Sequence, residues 1–97
     1  MTSSDSHSFP VVHNATARRF EARVEGWPAR CDYLLVDGVM HIVHTEVAPA
    51  LEGRGIAARL VQAALDHARD QGLKVQPRCS YVRAYMRRHP QTQSLLA

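Results

Sequence analysis

The hydrophobic period of this chain changes from strand-like to helical at a pair of glycines. Before Gly53-Arg54-Gly55 the apolar residues alternate with polar ones or gather in β-branched runs; after it they recur at helical spacing. From Arg19 to Val24, Phe20, Ala22 and Val24 face one way and Arg19, Glu21 and Arg23 the other, the pattern of a half-buried strand. Gly26-Trp27-Pro28 interrupts it, and a second strand runs from Cys31 to Val36. Asp37-Gly38 is a strong hairpin signal, and the apolar stretch from Val39 to Val47 supplies a third strand. Together they predict an antiparallel meander. From Arg54 to Gln71, residues Ala57, Leu60, Val61, Ala64, Leu65 and Ala68 line one side of an amphipathic helix that Gly72 closes. Leu73 to Gln76 is a short strand stopped by Pro77, and Ser80 to Arg88 is a second helix ended by Pro90. The order β-β-β-α-β-α, with its strand–helix–strand crossover, predicts an α/β (α+β) fold on a mixed sheet.

The 97 residues allow one domain, expected over 11–97, behind a Ser- and Thr-rich tail over 1–10 that is expected to be flexible. No apolar run is long enough to cross a bilayer, and Met1 to Ser8 lacks the order of a signal peptide. A cytoplasmic protein with no membrane partner is the expectation. Cys31 and Cys79 are too few for a disulfide framework and read as free thiols. The formal net charge is +3, the pI is near 9.3, and 11 of the 12 Lys and Arg residues are Arg. Such a balance attracts nucleic acids and phosphorylated cofactors alike. No strand interleaves aromatic with basic residues as base-stacking surfaces do, so nucleic acid ranks last among the partners.

Glu52-Gly53-Arg54-Gly55-Ile56-Ala57 sets two glycines before a helix whose first amides have no intrahelical partner. Those amides and the positive end of the helix dipole make an anion site, which Arg54 or Arg59 could strengthen; a strand-to-helix turn with no ligand is the other reading. Cys79 follows Arg78 near the start of the last helix, and a neighbouring cation and a helix N-terminus both favour the thiolate. A small buried apolar cysteine is the alternative, and Cys31 keeps that reading. His44 and Glu46 are two apart, share a face, and either could act as a base, or they form an ordinary sheet pair. His41 and His44 are three apart and so point to opposite faces of a regular strand; no metal site is expected. Tyr81 and Tyr85 share one side of the last helix as packing aromatics, while Arg83, Arg87 and Arg88 give it a basic flank.

The glycine segment resembles motif A of the GNAT superfamily of acyl-CoA-dependent N-acetyltransferases. The likeness tightens toward the minimal single-domain YjdJ-like subgroup through His44-Thr45-Glu46-Val47, Gly53-Arg54-Gly55-Ile56-Ala57, Lys74-Val75 with Pro77, Cys79-Ser80-Tyr81-Val82 and Arg88-His89-Pro90. The resemblance covers roughly residues 40 to 90, with one departure: Glu52 stands where many members carry Arg or Gln. It implies acetyl-CoA as cosubstrate, no metal, and an unidentified amine as acceptor, either a small molecule or a protein. It implies that Val47 and the residues from Gly53 to Ala57, with Arg59, bind CoA, the pantetheine arm entering where the strands splay at Val47 and Lys74-Val75. It implies that Cys79 accepts the acetyl group or lines its site, with His44 or Glu46 as base and Tyr85 as the acid for the departing thiolate. A CoA-binding module without turnover is the alternative function.

Overall fold

The computed structural model describes residues 9–97. One sheet carries five strands in the order of the chain: β1 (Val12–Asn14), β2 (Arg19–Val24), β3 (Trp27–Val36), β4 (Val39–Val47) and β5 (Lys74–Pro77). The first four are antiparallel neighbours, and β5 runs parallel to β4 after the crossover helix α1 (Ile56–Asp70). Helix α2 (Ser80–Arg88) follows β5, and short 3-10 turns span Pro49–Leu51 and Pro90–Leu95. The mixed sheet and the β4–α1–β5 crossover are those expected from the sequence.

Two elements differ from expectation. The meander has a fourth strand, β1, whose three residues are too few to display a period. The Gly26-Trp27-Pro28 break is a tight hairpin: Glu25 and Gly26 take φ of 53° and 82°, the left-handed pair of a type I′ turn, and β3 begins at once at Trp27. Proline is tolerated there because the β3–β4 ladder starts only at Ala29, so Pro28 has a strand neighbour on the β2 side alone. The expectation for the tail falls mostly on residues outside the described part; Phe9, at its end, is buried in the core.

Helices α1 and α2 pack on one face of the sheet. Phe20, Ala22, Val24, Ala29, Cys31, Tyr33, Met40, Ile42 and Val75 point into it and meet Ile56, Leu60, Val61, Ala64, Leu65 and Ala68 of α1 and Val82 and Met86 of α2. Helix α1 ends in a Schellman motif, with Leu73 N–H donating to Ala68 O at 2.8 Å, Gly72 N–H to Arg69 O at 3.2 Å, and Gly72 at φ 70°. Polar residues of β2, β3 and β4 take the other face. There Asp32 binds Arg19 at 3.5 Å and Arg30 at 3.1 Å, and Arg30 reaches Glu46 at 3.4 Å.

The feature that places the candidate site residues of β4 is a β-bulge. Asp32 pairs with His44, but Tyr33 pairs with Ile42, which leaves Val43 of β4 unmatched. Unbroken alternation from buried Met40 and Ile42 would turn His44 and Glu46 into the core, where an unpaired charge is expensive. The extra residue inverts the alternation, so Thr45 and Val47 face the helices while His44 and Glu46 are exposed. It also puts His41 and His44 on the same face, contrary to the expectation for a regular strand.

A second set of contacts ties β1 to α1. The His13 ring stacks on Phe20 with centroids 4.3 Å apart, meets the His67 ring edge-on at 4.4 Å, and hydrogen-bonds the Tyr33 hydroxyl. Burial, and then the charge of His67, hold the His13 imidazole below its usual 6.5. The unfolded chain therefore binds a proton that the folded chain refuses, so this part of the stability is complete above pH 6.5 and lost as pH falls from there toward the lower folded value. The urea midpoint should drop between about pH 7.5 and about pH 5.5, and less so in His13→Phe, which keeps the stacked ring. In the same assay Leu60→Ala, at a fully buried position of α1, should lose about 2–5 kcal/mol.

Candidate active site

The site lies where β4 and β5 part. Pairing between them runs from Val39↔Lys74 to Ile42↔Pro77 and then stops. Two successive amides, those of Arg78 and Cys79, donate to the single carbonyl of Ile42 at 2.9 and 3.1 Å, and the chain turns away into α2. From Val43 to Val47 the edge of β4 therefore has no strand beside it on the β5 side among the described residues. This corrects the expected position of the splay. Lys74 and Val75 lie at the closed end, opposite Val39 and Met40, and the opening is bounded by β4 beyond Ile42 and by Pro77 to Cys79.

Beyond Val47, the turn Pro49–Leu51 plugs the core with Leu51 and delivers the chain to the glycine loop. Gly53 and Gly55 hold φ of 85° and 75°, which side-chain-bearing residues rarely adopt, and a Cβ at either would meet open space. The requirement for glycine is thus conformational, since no atom of the described residues lies within 4 Å of a Cβ built at either position. Gly55 is the N-cap of α1, and the first helical bond is Arg59 N–H to Gly55 O at 3.2 Å. The amides of Gly55, Ile56, Ala57 and Ala58 have no partner inside the helix, and no carboxylate stands in its first turn. This arrangement fits a phosphate group by amides and dipole alone. The two flanking arginines are turned elsewhere: Arg54 forms a 2.7 Å ion pair with Glu25 of the β2–β3 turn, and Arg59 lies 4.4 Å over the Phe9 ring and donates to its carbonyl at 3.3 Å.

Cys79 is the N-cap of α2, partly exposed, with Sγ 3.7 Å from Thr45 Oγ1. Burial pushes its thiol up, but the Val82 amide, the Thr45 hydroxyl, the Tyr81 amide and the Thr45 backbone outweigh it and the net shift is downward. No amide at the start of α2 closes a full capping bond to the sulfur, so its influence is electrostatic. Cys31 is the opposite case: fully buried opposite Thr45 on β3, it is pushed up to about 12 and stays a thiol.

His44 and Glu46 do come together, with Nε2 and Oε1 3.0 Å apart, but on the uncovered face. The hydrogen bond from His44, then the charge of Arg30, hold the Glu46 carboxyl below its ordinary range, so it is the ionised partner that orients His44. Tyr85 is drawn to α1, where its hydroxyl donates to Gln62 and its ring stacks on His89 at 3.9 Å. It stands six residues beyond Cys79 on α2, about 9 Å along the axis. A groove of about 410 Å³ lies on the uncovered face, lined by Arg19, Arg23, Arg30 and Glu21 and bounded by Glu46. It is not at Cys79. Among the described residues no three His, Cys, Asp or Glu side chains are grouped to hold a metal ion. Thr45 is the residue that sequence reasoning passed over. Alternation counted from Met40 and Ile42 points it away from Cys79, and only the bulge reverses it.

An open strand edge thus ends at a glycine loop and helix amides on one side and at a capping cysteine on the other. Residues 19–95 match the family described as GCN5-related N-acetyl-transferase, and the chain belongs to that family. Among its relatives, protein NATD1 of Xenopus tropicalis is 36% identical over 94 residues, covering 93% of this chain and 85% of that protein. Protein NATD1 of Mus musculus is 35% identical over 88 residues, covering 88% and 80%. The NMR solution structure of a GCN5-like protein from Staphylococcus aureus shares the fold, with a TM-score of 0.72 over 91% of this chain and 87% of that one at 24% identity.

The contrast between the two thiols is directly measurable. In native protein, iodoacetamide should modify Cys79 near neutral pH and leave Cys31 untouched until the chain is unfolded, as read by peptide mapping.

Proposed function

We propose that this chain is an acetyl-CoA-dependent N-acetyltransferase that carries the acetyl group on Cys79 before passing it to an amine. The observation that carries this reading is the place of Cys79: at the mouth of the β4–β5 opening, at a helix N-terminus, with its thiol shifted toward the thiolate. The amides from Gly53 to Ala58 hold the pyrophosphate, and Arg54 can leave Glu25 for it. The free edge of β4, ending at Val47, pairs with the amides of the pantetheine arm and leads the thioester to Cys79. The thiolate attacks the thioester carbonyl carbon; its C–S bond forms as the bond to the CoA sulfur breaks, and CoA leaves as a thiolate. The acceptor then attacks acetyl-cysteine, a C–N bond replaces the C–S bond, and Cys79 is regenerated. His44, held by ionised Glu46, takes the proton of the incoming ammonium from the uncovered face, where the groove at Arg30 and Glu46 is open to a macromolecular or small amine. Tyr85, to protonate the departing thiolate, must first release Gln62. No helix among the described residues is long and apolar enough to cross a membrane, and two free thiols suit a reducing compartment; we place the protein in the cytoplasm, as a single catalytic unit over residues 11–97.

The engagement of Tyr85 with Gln62 favours a second reading, a CoA-binding module without turnover. One experiment separates the two. On incubation with acetyl-CoA the intact mass should rise by one acetyl group, mapped to the peptide containing Cys79, and Cys79→Ala should abolish this while keeping the thermal shift given by CoA. A thermal shift without acetylation or amine product would establish the binding module. Undiminished transfer by Cys79→Ala would establish direct attack, and no shift with either ligand would sink the CoA reading altogether.

A further inference from the structure

Among the described residues, the side chain hydrogen-bonded to the Cys79 sulfur is neither His44 nor Glu46. It is Thr45, turned inward by the unmatched Val43, with Oγ1 3.7 Å from Sγ. Thr45 also stands directly opposite Cys31 in the β3–β4 register, so its hydroxyl lies between two sulfurs. A hydroxyl has one hydrogen to give. Cys31 is fully buried, so its sulfur keeps its own proton and acts only as a neutral neighbour. Cys79 is partly exposed, and its thiol is shifted toward the ionised form. An O–H bond to an anionic sulfur is stronger than one to a neutral thiol, so the single hydrogen goes to Cys79 whenever that group is ionised.

We infer that Thr45 is a positioning residue for Cys79: its hydroxyl donates to the ionised sulfur, holding the side chain toward the β4–β5 opening and favouring the reactive form. The inference rests on Cys79 being the reactive group of the proposed transferase, but it concerns the thiol itself and is testable without acetyl transfer. The hydroxyl acts together with the amides at the start of α2. Those amides belong to the backbone and no substitution at position 45 removes them, so Thr45 is the tunable part of the environment. Serine preserves the donor; valine keeps nearly the same volume and replaces the hydroxyl by a methyl group.

The test is the pH–rate profile for alkylation of Cys79 by iodoacetamide, followed by peptide mapping so that only Cys79 is counted. Thr45→Val should react about three- to tenfold more slowly than wild type near pH 7 and show its inflection at higher pH. At high pH, where both are fully ionised, the rates should converge or Thr45→Val should be slightly faster, because a more basic thiolate is the better nucleophile. Thr45→Ser should restore the wild-type profile. A purely structural role predicts something different: a loosened site reacts faster at every pH with no change in the inflection, and that result overturns the inference, as does an unchanged profile. If Thr45→Val fails to fold, judged by far-ultraviolet circular dichroism, Thr45→Ala is read in the same way. Acetylation of Cys79 with an unshifted Thr45→Val profile would leave the transferase reading standing and remove Thr45 from it. A shifted profile without any acetyl uptake would do the reverse.

Discussion

The extra residue at Val43 governs more of this molecule than any contact in its core. β4 is paired on both sides near its start and must serve two environments with one alternation of side chains. Its first half supplies Met40 and Ile42 to the apolar face, fully buried beneath the helices. Its second half carries a histidine and a glutamate that would follow them inward if the strand were regular. One unmatched residue resolves the conflict by returning both to solvent, and in doing so brings the small polar Thr45 to Cys79. The penalty for burying charge is several times the gain from another ladder bond, which is why the bulge is the cheaper solution.

The bulge also divides the chemistry between two faces. On the helix side lie the thiol, the hydroxyl beside it and the amides of two helix N-termini, all of which favour negative charge. On the open side lie Arg19, Asp32, Arg30 and Glu46, linked in one line of ion pairs, and His44, hydrogen-bonded to Glu46. Most of that line is exposed, so it contributes little to stability; its effect is to fix the direction of the His44 ring. Both environments are carried by the second half of β4, whose edge bounds the β4–β5 opening. The opening itself follows from β5 being short: Pro77 lacks the N–H to continue a ladder, and the next two amides crowd onto one carbonyl.

Much of the architecture was legible because it depends on local chemistry. The period of Phe20, Ala22 and Val24, the Asp37-Gly38 turn, the apolar stripe of α1, Gly72 as its terminator and the span of α2 all follow from patterns a few residues long. β1 was not legible, because three residues cannot show a period and its attachment comes from His13 stacking on Phe20 and His67, residues distant in sequence. The Gly26-Trp27-Pro28 segment misled for a related reason. Proline and glycine read as a break, and only the end of the neighbouring ladder makes Pro28 acceptable within a strand.

By itself, the sequence determined the glycine loop. Gly53 and Gly55 are required by their own backbone angles, and the amides that follow are free because every helix begins with unpaired donors. The tertiary structure decided the rest of the site. Arg54 and Arg59, which look available along the chain, are held by Glu25 and Phe9. His44 and Glu46, which look like neighbours of Cys79, are turned from it by an inserted residue that no alternation rule registers. Backbone conformation is a property of a few adjacent residues and can be read from them. The direction of a side chain on a bulged strand depends on what its partner strand pairs with, and that is settled only when the sheet has formed.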